Sequence, residues 1–354
     1  MVHNRNNKNG ERLMISVVIP NYNKSRFLLE CLESVVAQNY PYIEIVVVDD
    51  GSTDDSVDII NDYAVEHPEA DIKLIKQKNL GATVARNKGI DNSNGKYVIF
   101  LDSDDLLYSG LFNKIVPILR KNSPDMLVGS YLQIDENGKK LNRRSFVKDE
   151  AVLKFKRDFM RMIDIDPLPS NKIYNLDLIK QNRLRWDNVK IAQDLDFYLK
   201  YVALCHNVII VNENVSKYRI ASGSISRTYD FRIFDIKTVF ANVKKFYIER
   251  GLLSYYEKYM PIQILKHYNF QLSKQIFYKR RLDRRKIIDF FSNAEKEIDY
   301  ADSVSGYKRM RKTILRKNAL KFFITSSLCC FFVRTMTVVK NMIKHAVGFL
   351  DEEY

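Results

Sequence analysis

The chain has 354 residues, of which 46% are hydrophobic and 12% are aromatic. That much apolar material can form a sizeable core, so the composition excludes a chain that is disordered throughout. The four cysteines form no CxxC pair and no Cys/His spacing typical of zinc, which excludes a zinc ribbon and a disulfide scaffold.

The net charge of +14 is concentrated in the C-terminal third of the chain. Residues 231–354 contain 25 Lys and Arg against 12 Asp and Glu, a net charge of +13, which leaves +1 for residues 1–230. A basic tail on a nearly neutral body is typical of a segment that meets an anionic partner. We therefore expect a polar N-terminal extension at 1–12, a first domain at 13–230 and a basic, mainly helical region at 231–354.

Short apolar runs alternate with helical patterns over the first 107 residues. The runs at 13–20 and 43–48 are rich in β-branched residues and lack strict alternation, which indicates strands buried on both faces of a parallel sheet. Between them, apolar residues recur at helical spacing at Phe27, Leu28, Cys31, Leu32 and Val35. The alternation continues with a helix at 54–66, a strand at 72–76, a helix at 80–92 and a strand at 96–101. This order predicts an α/β sheet with right-handed crossovers.

The pattern is less regular after residue 107. In chain order it predicts a helix at 109–121, a strand at 125–132, a hairpin turn at Asp135–Gly138, a loop around Pro167 and Pro169, a helix at 192–204 and a strand at 207–212. From residue 231 onward the pattern indicates helices rich in basic and aromatic residues. One of them has an apolar face formed by Phe234, Phe240, Val243 and Phe246.

Polar side chains follow three of the predicted strands, at the edge where open α/β sheets bind ligands. Asp102 and Asp104 stand two residues apart in an extended segment, so both carboxylates can face one cation. Their hard oxygen atoms suit Mg²⁺ or Mn²⁺. The alternative is a solvated acidic turn that caps the next helix. The position at the end of a buried apolar strand favours the metal site.

The segment at 49–55 has two interpretations. Ser52 or Thr53 can cap the following helix, since both are good N-cap residues. Capping does not account for the carboxylates of Asp49 and Asp50 at the strand end, which can accept a hydrogen bond from a uracil N3–H or a ribose hydroxyl. Both interpretations can hold together. In the next helix, Arg86 can meet a phosphate group bidentately.

Three of these segments together resemble glycosyltransferase family 2, a group of enzymes that use nucleotide sugars and have the GT-A fold. The matching pieces are SVVIPNYNKSRFLLECLESVVAQNYPYIEIVVVDDGSTDDS at 16–56, NLGATVARNKGI at 79–90 and YVIFLDSDD at 97–105. They come in the family's order and spacing. The resemblance implies a GT-A domain at 13–230 that transfers a hexose or N-acetylhexosamine from a nucleotide sugar, with UDP as the default nucleotide.

The resemblance also implies roles for the matching residues. Asp102 and Asp104 correspond to the family's DxD motif, with Asp104 and Asp102 binding Mn²⁺ or Mg²⁺. The positions implied to bind the nucleotide are Pro20, Tyr22, Asp50, Arg86, Asp102 and Ser103.

The catalytic base implied by the resemblance is Asp194. Family members commonly have a Glu-Asp pair at the start of a helix, and Gln193-Asp194 stands here. The rival carboxylate, Asp196, falls outside the motif. An unperturbed Asp is ionised at neutral pH, so we expect Asp194 to act without tuning in an inverting single displacement. Arg219 and Ser224 resemble a looser family motif, a loop that closes over the diphosphate.

The basic tail allows three interpretations. The first is membrane association through 319–350, where the uncharged run Phe322–Val333 is flanked by basic residues; its 12 residues are too few to span a bilayer, which takes about 20. The second is a helical bundle that forms a homo-oligomer. The third is nucleic-acid binding, which lacks any recognised motif.

Family resemblance favours the first of these. We therefore expect a peripheral protein on the cytoplasmic face of the cell membrane, with a glycan or lipid-linked saccharide as acceptor. The competing functions are a nucleic-acid-binding protein and a non-catalytic sugar-binding scaffold. The presence of all the proposed acidic residues argues against the scaffold.

Overall fold

The computed structural model describes residues 12–144, 150–220 and 235–277. Ser224 and the segment 319–350 lie outside the described residues, as does Phe234. The chain divides into two compact units, Met1–Leu252 and Leu253–Tyr354. This division differs from the boundary expected near residue 230, because the first helix after it packs within the first unit. The assignment of catalysis to 13–230 stays a prediction.

The described elements of the first unit alternate between strand and helix at its start and are mixed later. The strands are β1 (Ile15–Asn21), β2 (Ile43–Asp49), β3 (Asp71–Lys76), β4 (Tyr97–Phe100), β5 (Leu106–Leu107), β6 (Met126–Ile134), β7 (Lys140–Arg144), β8 (Ala151–Lys154), β9 (Lys172–Asn175) and β10 (Asn207–Arg219). The helices are α1 (Ser25–Val36), α2 (Ser56–Glu66), α3 (Ala82–Asn92), α4 (Leu111–Asn122), α5 (Phe155–Ile163), α6 (Leu176–Gln181), α7 (Gln193–Val202) and α8 (Ile236–Glu249), with a short 3₁₀ helix at Pro169–Asn171.

These strands form one mixed sheet in the order β3-β2-β1-β4-β9-β6-β10-β5, with β7 beside β6 and β8 beside β10. β1 is parallel to β2 and β4, and β2 is parallel to β3. β9 is antiparallel to both β4 and β6. The carboxyl ends of β1, β2 and β4 therefore meet at one edge of the sheet.

The parallel part of the sheet forms the centre of the core. All seven residues of β1 and all four of β4 are buried, as expected for strands covered on both faces. Helix α1 covers the sheet with the five apolar residues that the sequence pattern predicted, Phe27 to Val35. Helix α3 approaches β1 closely at Gly89, where an added Cβ would lie 2.2 Å from a methyl carbon of Val18. This close approach fixes the helix that carries Arg86.

The predicted α/β class is confirmed, and several predicted details are wrong. Helix α2 begins at Ser56, and neither Ser52 nor Thr53 caps it; Ser52 instead donates to Asp49, and Asp54 accepts from the Ser56 amide. β10 continues to Arg219, well past the predicted end at residue 212, with two shifts of its register against β6. The loop predicted around Pro167 and Pro169 is present at 164–168, and it ends where Pro169 begins the 3₁₀ helix.

Helix α8 packs against α7, which places it in the first unit. Its buried residues are Ile236, Val239, Phe240, Val243 and Tyr247. The predicted apolar face is therefore rotated, since Phe246 is only half-buried and instead lies under the guanidinium of Arg250.

The described part of the second unit is one helix, α9 (Leu253–Phe277). Among the helices of the described residues, none combines the length and the hydropathy that crossing a lipid bilayer requires.

Candidate active site

The carboxyl end of β2 anchors the start of α3. The carboxylate of Asp50 is buried and accepts three hydrogen bonds of 2.8 Å, from the Gln77 side chain and from the backbone amides of Leu80 and Gly81. A carboxylate has about four lone-pair sites, so Asp50 keeps room for about one further donor. Asp49 is tied to Asn21 and Ser52. Asp50 therefore holds the 77–81 loop in place and has only one acceptor position left for a ligand.

The carboxyl ends of β1 and β4 contribute the other predicted nucleotide residues. Pro20 is buried within β1, and Tyr22 just beyond it has 44% of its surface exposed. Ser103 is buried after β4. β1 lies between β2 and β4, so these residues and Asp50 share one edge of the sheet, as the sequence predicted.

The acidic segment after β4 is held by basic side chains from other elements. Asp102 Oδ1 accepts from Arg86 Nη2 at 2.6 Å, and Asp104 Oδ2 accepts from Lys24 Nζ at 2.6 Å. Asp105 is buried and accepts from the Arg219 amide at 2.8 Å and from Ser170 at 3.3 Å. Burial raises the pKa of Asp105 well above its usual value, and the charges of Asp102 and Asp104 raise it further.

The remaining oxygens of this segment fit a divalent cation. Among the described residues, Asp102 Oδ2 and Asp104 Oδ1 accept no hydrogen bond, and both side chains are partly exposed. No group of three or more His, Cys, Asp or Glu in the described part of the chain could hold a metal. Two carboxylates leave several coordination positions open, which suits Mg²⁺ when substrate phosphates supply further ligands.

Arg86 connects this segment to α7. Its guanidinium is buried, with Nη2 at 2.6 Å from Asp102 and Nη1 at 4.0 Å from Asp194 Oδ1. It also lies over the ring of Trp186 at 4.6 Å, and Trp186 is stacked on Phe197 of α7 with the ring centroids 4.2 Å apart. The Asn87 side chain accepts from the Trp186 amide and donates to its carbonyl, both at 2.9 Å. Trp186 thus fixes α3 against α7.

Asp194 differs from the unperturbed carboxylate expected from the sequence. Its side chain keeps 41% of its surface exposed, so its carboxyl group is only partly buried. This burial raises its pKa to about 6; Arg86 and Lys172 lower the pKa, and Asp102 and Asp166 raise it. The group remains mostly ionised at pH 7 and titrates close to neutrality, which suits a general base.

Asp196, the rival carboxylate, has a different environment. It is 0% exposed and accepts a hydrogen bond from Lys200 at 2.6 Å. Lys200 is itself buried and also donates to Asp187 at 2.6 Å. Asp196 therefore belongs to a buried ion cluster of α7, and Gln193, one residue before Asp194, donates to the Val189 carbonyl.

Arg219 is already engaged by the protein. Its guanidinium donates to the carbonyls of Asp104 and Glu136 at 2.9 Å each and to Glu30 at 2.6 Å, and it lies over the ring of Phe27 at 4.7 Å. In this arrangement Arg219 holds the acidic segment in place. Its predicted role at the diphosphate stays a prediction.

Sequence reasoning missed Lys24, Asp105, Lys172 and Trp186. Asp105 directly follows the DxD pattern, and its position was the available signal. Lys24 lies in the first matching segment, where its charge alone indicated nothing. Trp186 stands in an irregular segment and Lys172 in a short strand, and only the folded chain brings both against α7.

The known proteins similar to this chain are glycosyltransferases. Residues 16–181 match the model of Glycosyl transferase family 2. The chain is 29% identical over 225 residues to GlyG, a glycosyltransferase of Streptococcus pneumoniae serotype 4, covering 61% of this chain and 73% of GlyG. It is 27% identical over 218 residues to TuaG of Bacillus subtilis, named a putative teichuronic acid biosynthesis glycosyltransferase, covering 60% of this chain and 81% of TuaG.

Other relatives are much longer than the matched region, and the chain spans about a third of their length. Among solved structures, residues 1–349 of S. aureus TarS in complex with UDP-GlcNAc superpose with a TM-score of 0.70 at 22% identity, covering 82% of this chain and 83% of that one. At this identity the likeness shows the fold, which is that of the GT-A glycosyltransferases.

Proposed function

Because the chain belongs to glycosyltransferase family 2, we propose that it transfers a hexose or N-acetylhexosamine from a UDP-sugar to a hydroxyl group of a glycan acceptor. The choice of UDP is supported by the likeness to TarS, which was solved with UDP-GlcNAc. The acceptor is a cell-surface polysaccharide, a glycolipid or a lipid-linked precursor, a class supported by the name of TuaG.

The observation that carries this proposal is the position of Arg86. Its guanidinium contacts Asp102, at the sheet edge proposed to bind the nucleotide sugar, and lies 4.0 Å from Asp194, the proposed base. A single buried side chain therefore sets the distance between the nucleotide-sugar site and the base. Holding both reactants in one geometry is a large part of catalysis by transferases.

The proposed reaction is an inverting single displacement. Asp194 accepts the proton of the acceptor hydroxyl while its oxygen bonds to the anomeric carbon, and the bond from that carbon to the diphosphate breaks with its electron pair leaving on the diphosphate. Tyr22 and Asp50 contact the nucleoside, and Arg86 supplies positive charge beside the diphosphate. A Mg²⁺ or Mn²⁺ held by Asp104 and Asp102 would supply further positive charge to the leaving group.

The protein is proposed to act on the cytoplasmic face of the cell membrane as a peripheral protein. This location is supported by the net charge of +13 on residues 231–354, since basic segments are attracted to anionic lipid surfaces.

The test measures UDP release from a panel of UDP-sugars in the presence of Mn²⁺ or Mg²⁺. Asp194→Asn should retain UDP affinity and lose turnover by about 10²–10⁴-fold, the usual contribution of a general base. Asp196→Asn is the matched control on the same helix and should lower thermal stability while keeping turnover per folded molecule. An active Asp194→Asn enzyme beside a folded but inactive Asp196→Asn enzyme would mean that the base is Asp196.

A further inference from the structure

Trp186 is the single tryptophan of the chain, and its ring contacts all three elements that form the proposed site. It is stacked on Phe197 of α7, with the ring centroids 4.2 Å apart and the planes within 5° of parallel. It meets Phe100, the last residue of β4, edge to face at 5.4 Å. The guanidinium of Arg86 on α3 lies over the ring, 4.6 Å from its centroid. These elements supply the proposed base, the acidic segment and the cation between them.

The backbone around Trp186 is held on both sides. Towards α3, the Asn87 side chain accepts from the Trp186 amide and donates to its carbonyl, both at 2.9 Å. Towards α7, the next residue, Asp187, accepts from the buried ammonium of Lys200 at 2.6 Å. The indole ring therefore has a fixed position between the two helices.

Arg86 has little else to fix its orientation. Among the described residues its guanidinium donates one hydrogen bond, from Nη2 to Asp102 at 2.6 Å, and its buried Nε has no partner. Nη1 lies 4.0 Å from Asp194 Oδ1, which is too long for a hydrogen bond. A planar group held by one hydrogen bond can turn about that contact, whereas an aromatic ring stacked against it restrains the plane. The orientation of the guanidinium thus depends on Trp186.

The indole nitrogen of Trp186 indicates that the ring is not present for a hydrogen bond. Nε1 is buried and has no partner among the described residues. An unpaired buried donor costs stability, and a phenylalanine would avoid this cost while filling much of the same space. The advantage of the indole is its face, because Trp binds a cation more strongly than Phe or Tyr does.

We propose that Trp186 is a positioning residue of the transfer reaction, which fixes the guanidinium plane of Arg86 and thereby the distance between Asp102 and Asp194. This inference rests on the proposed function, because it takes Asp194 as the base. Trp186 has only 3% of its surface exposed, and it acts through Arg86 and not through contact with a substrate.

The experiment measures kcat for UDP release at saturating UDP-sugar for Trp186→Leu and Trp186→Phe, each made in wild type and in Arg86→Lys. In wild type we expect Trp186→Leu to lower kcat by about 10²-fold, as a displacement of about 1 Å at an active site can. Trp186→Phe should lose less, because it keeps an aromatic face for the cation.

The Arg86→Lys background tests whether Trp186 acts through Arg86. A lysine has no planar group for the ring to orient, so Trp186→Leu should cost much less there than in wild type. Residues that act together give such non-additive effects. A loss by the same factor in both backgrounds overturns the inference.

Phe112→Leu is the matched control for the loss of a buried aromatic ring. Phe112 is 1% exposed and makes its ring contact with Tyr40 at 5.7 Å. Its replacement should lower thermal stability and keep kcat per folded molecule. An equal loss of kcat in Phe112→Leu and Trp186→Leu overturns the inference, because the loss would then come from general loosening of the core.

If Trp186→Leu does not fold, the same comparison of backgrounds with Trp186→Phe decides, because its smaller loss should also shrink in Arg86→Lys. A wild-type protein that releases no UDP, or an active Asp194→Asn variant, overturns the proposed function and this inference with it. If wild type is active, Asp194→Asn is inactive and Trp186→Leu keeps the wild-type kcat, only the role of Trp186 is wrong.

Discussion

Arg86 contributes more than the phosphate contact that its sequence motif implies. It is buried between two carboxylates and a tryptophan ring. Burial lowers the pKa of Arg86, but Asp102 and Asp194 raise it above its usual value. A guanidinium in such a setting has a fixed orientation, so it can fix the two carboxylates relative to one another. Arg86 therefore links the sheet edge that carries Asp102 to helix α7.

Asp104 is the residue at which the metal hypothesis can be tested directly. We expect Asp104→Asn to reduce the gain in UDP affinity that Mn²⁺ produces, measured by calorimetry with and without the ion. The reduction should exceed the roughly 10–100-fold that loss of an outer partner costs a metal site. Asp91→Asn is a suitable control, because Asp91 also loses an ion pair, with Arg185 at 2.7 Å, at an exposed position. Equal Mn²⁺ dependence in Asp104→Asn and wild type would contradict the metal site.

Residues that follow apolar strands were predictable, and residues whose surroundings are formed by irregular segments were not. Asp50, Asp102 and Asp104 directly follow apolar runs, so the sheet edge itself places them together. Lys172 lies in a short strand, KIYN, whose polar start hides its burial. Its environment depends on the path of residues 166–171, which the spacing of two prolines did not determine.

At the scale of elements, Glu44 ties together the edge of the sheet opposite to the site. This buried carboxylate of β2 accepts from Ser16 of β1 at 2.5 Å, from Lys73 of β3 at 2.9 Å and from the Gly95 amide before β4 at 2.9 Å. Burial alone would raise the pKa of Glu44, but the hydrogen bonds from Ser16, Lys73 and the Asn94 amide lower it below its usual value.

This lowered pKa gives a stability prediction with a definite sign. The stabilisation is present above the unfolded pKa, about 4.3, and is lost as the pH falls through the folded value. Glu44→Gln should therefore lower the free energy of unfolding at pH 7 by about 1.5–3 kcal/mol, the range for hydrogen bonds to charged groups. Urea titrations followed by circular dichroism should show a smaller difference at pH 4.

The control for Glu44 is Glu66→Gln, an exposed position at the end of α2. It should change the free energy of unfolding little at either pH. A Glu44→Gln deficit that is the same at pH 4 and pH 7 would show that the loss comes from packing and not from the charge.

The elements that could be predicted share one property, a clear apolar pattern, which is a continuous run in the strands and a helical period in the helix. β1, β2 and α1 have it, because each buries a whole face or both faces in the core. The two-residue β5 is too short to show any pattern, and α5 has only nine residues, which non-helical backbone at Asp158 interrupts. Such short elements form because they pair with or pack on the rest of the sheet. The local sequence does not reveal these distant partners.

At the scale of the whole molecule, residues 231–354 carry +13 of the net charge of +14, which favours an anionic partner such as a lipid surface. Residues 319–354 lie outside the described residues, and their composition offers two contributions to membrane binding. Each basic residue near an anionic bilayer contributes about 1 kcal/mol within a Debye length. The uncharged run Phe322–Val333 can add apolar contact without spanning the bilayer. The two contributions together favour membrane binding, because one signal alone binds only marginally and stable anchoring takes two.

Flotation with phosphatidylglycerol vesicles at low salt should therefore recover the full-length protein with the lipid, and neutral vesicles should recover less. Removal of 319–354 should reduce flotation strongly. A matched variant that keeps the apolar run but replaces Lys317, Lys321 and Arg334 by Gln should bind with an intermediate yield and lose its dependence on anionic lipid. Equal flotation of the truncated and full-length proteins, or none by either, would exclude this segment as the anchor. A homo-oligomer formed through the basic region would then account better for its composition, because helices with apolar stripes bury them against one another when no membrane does so.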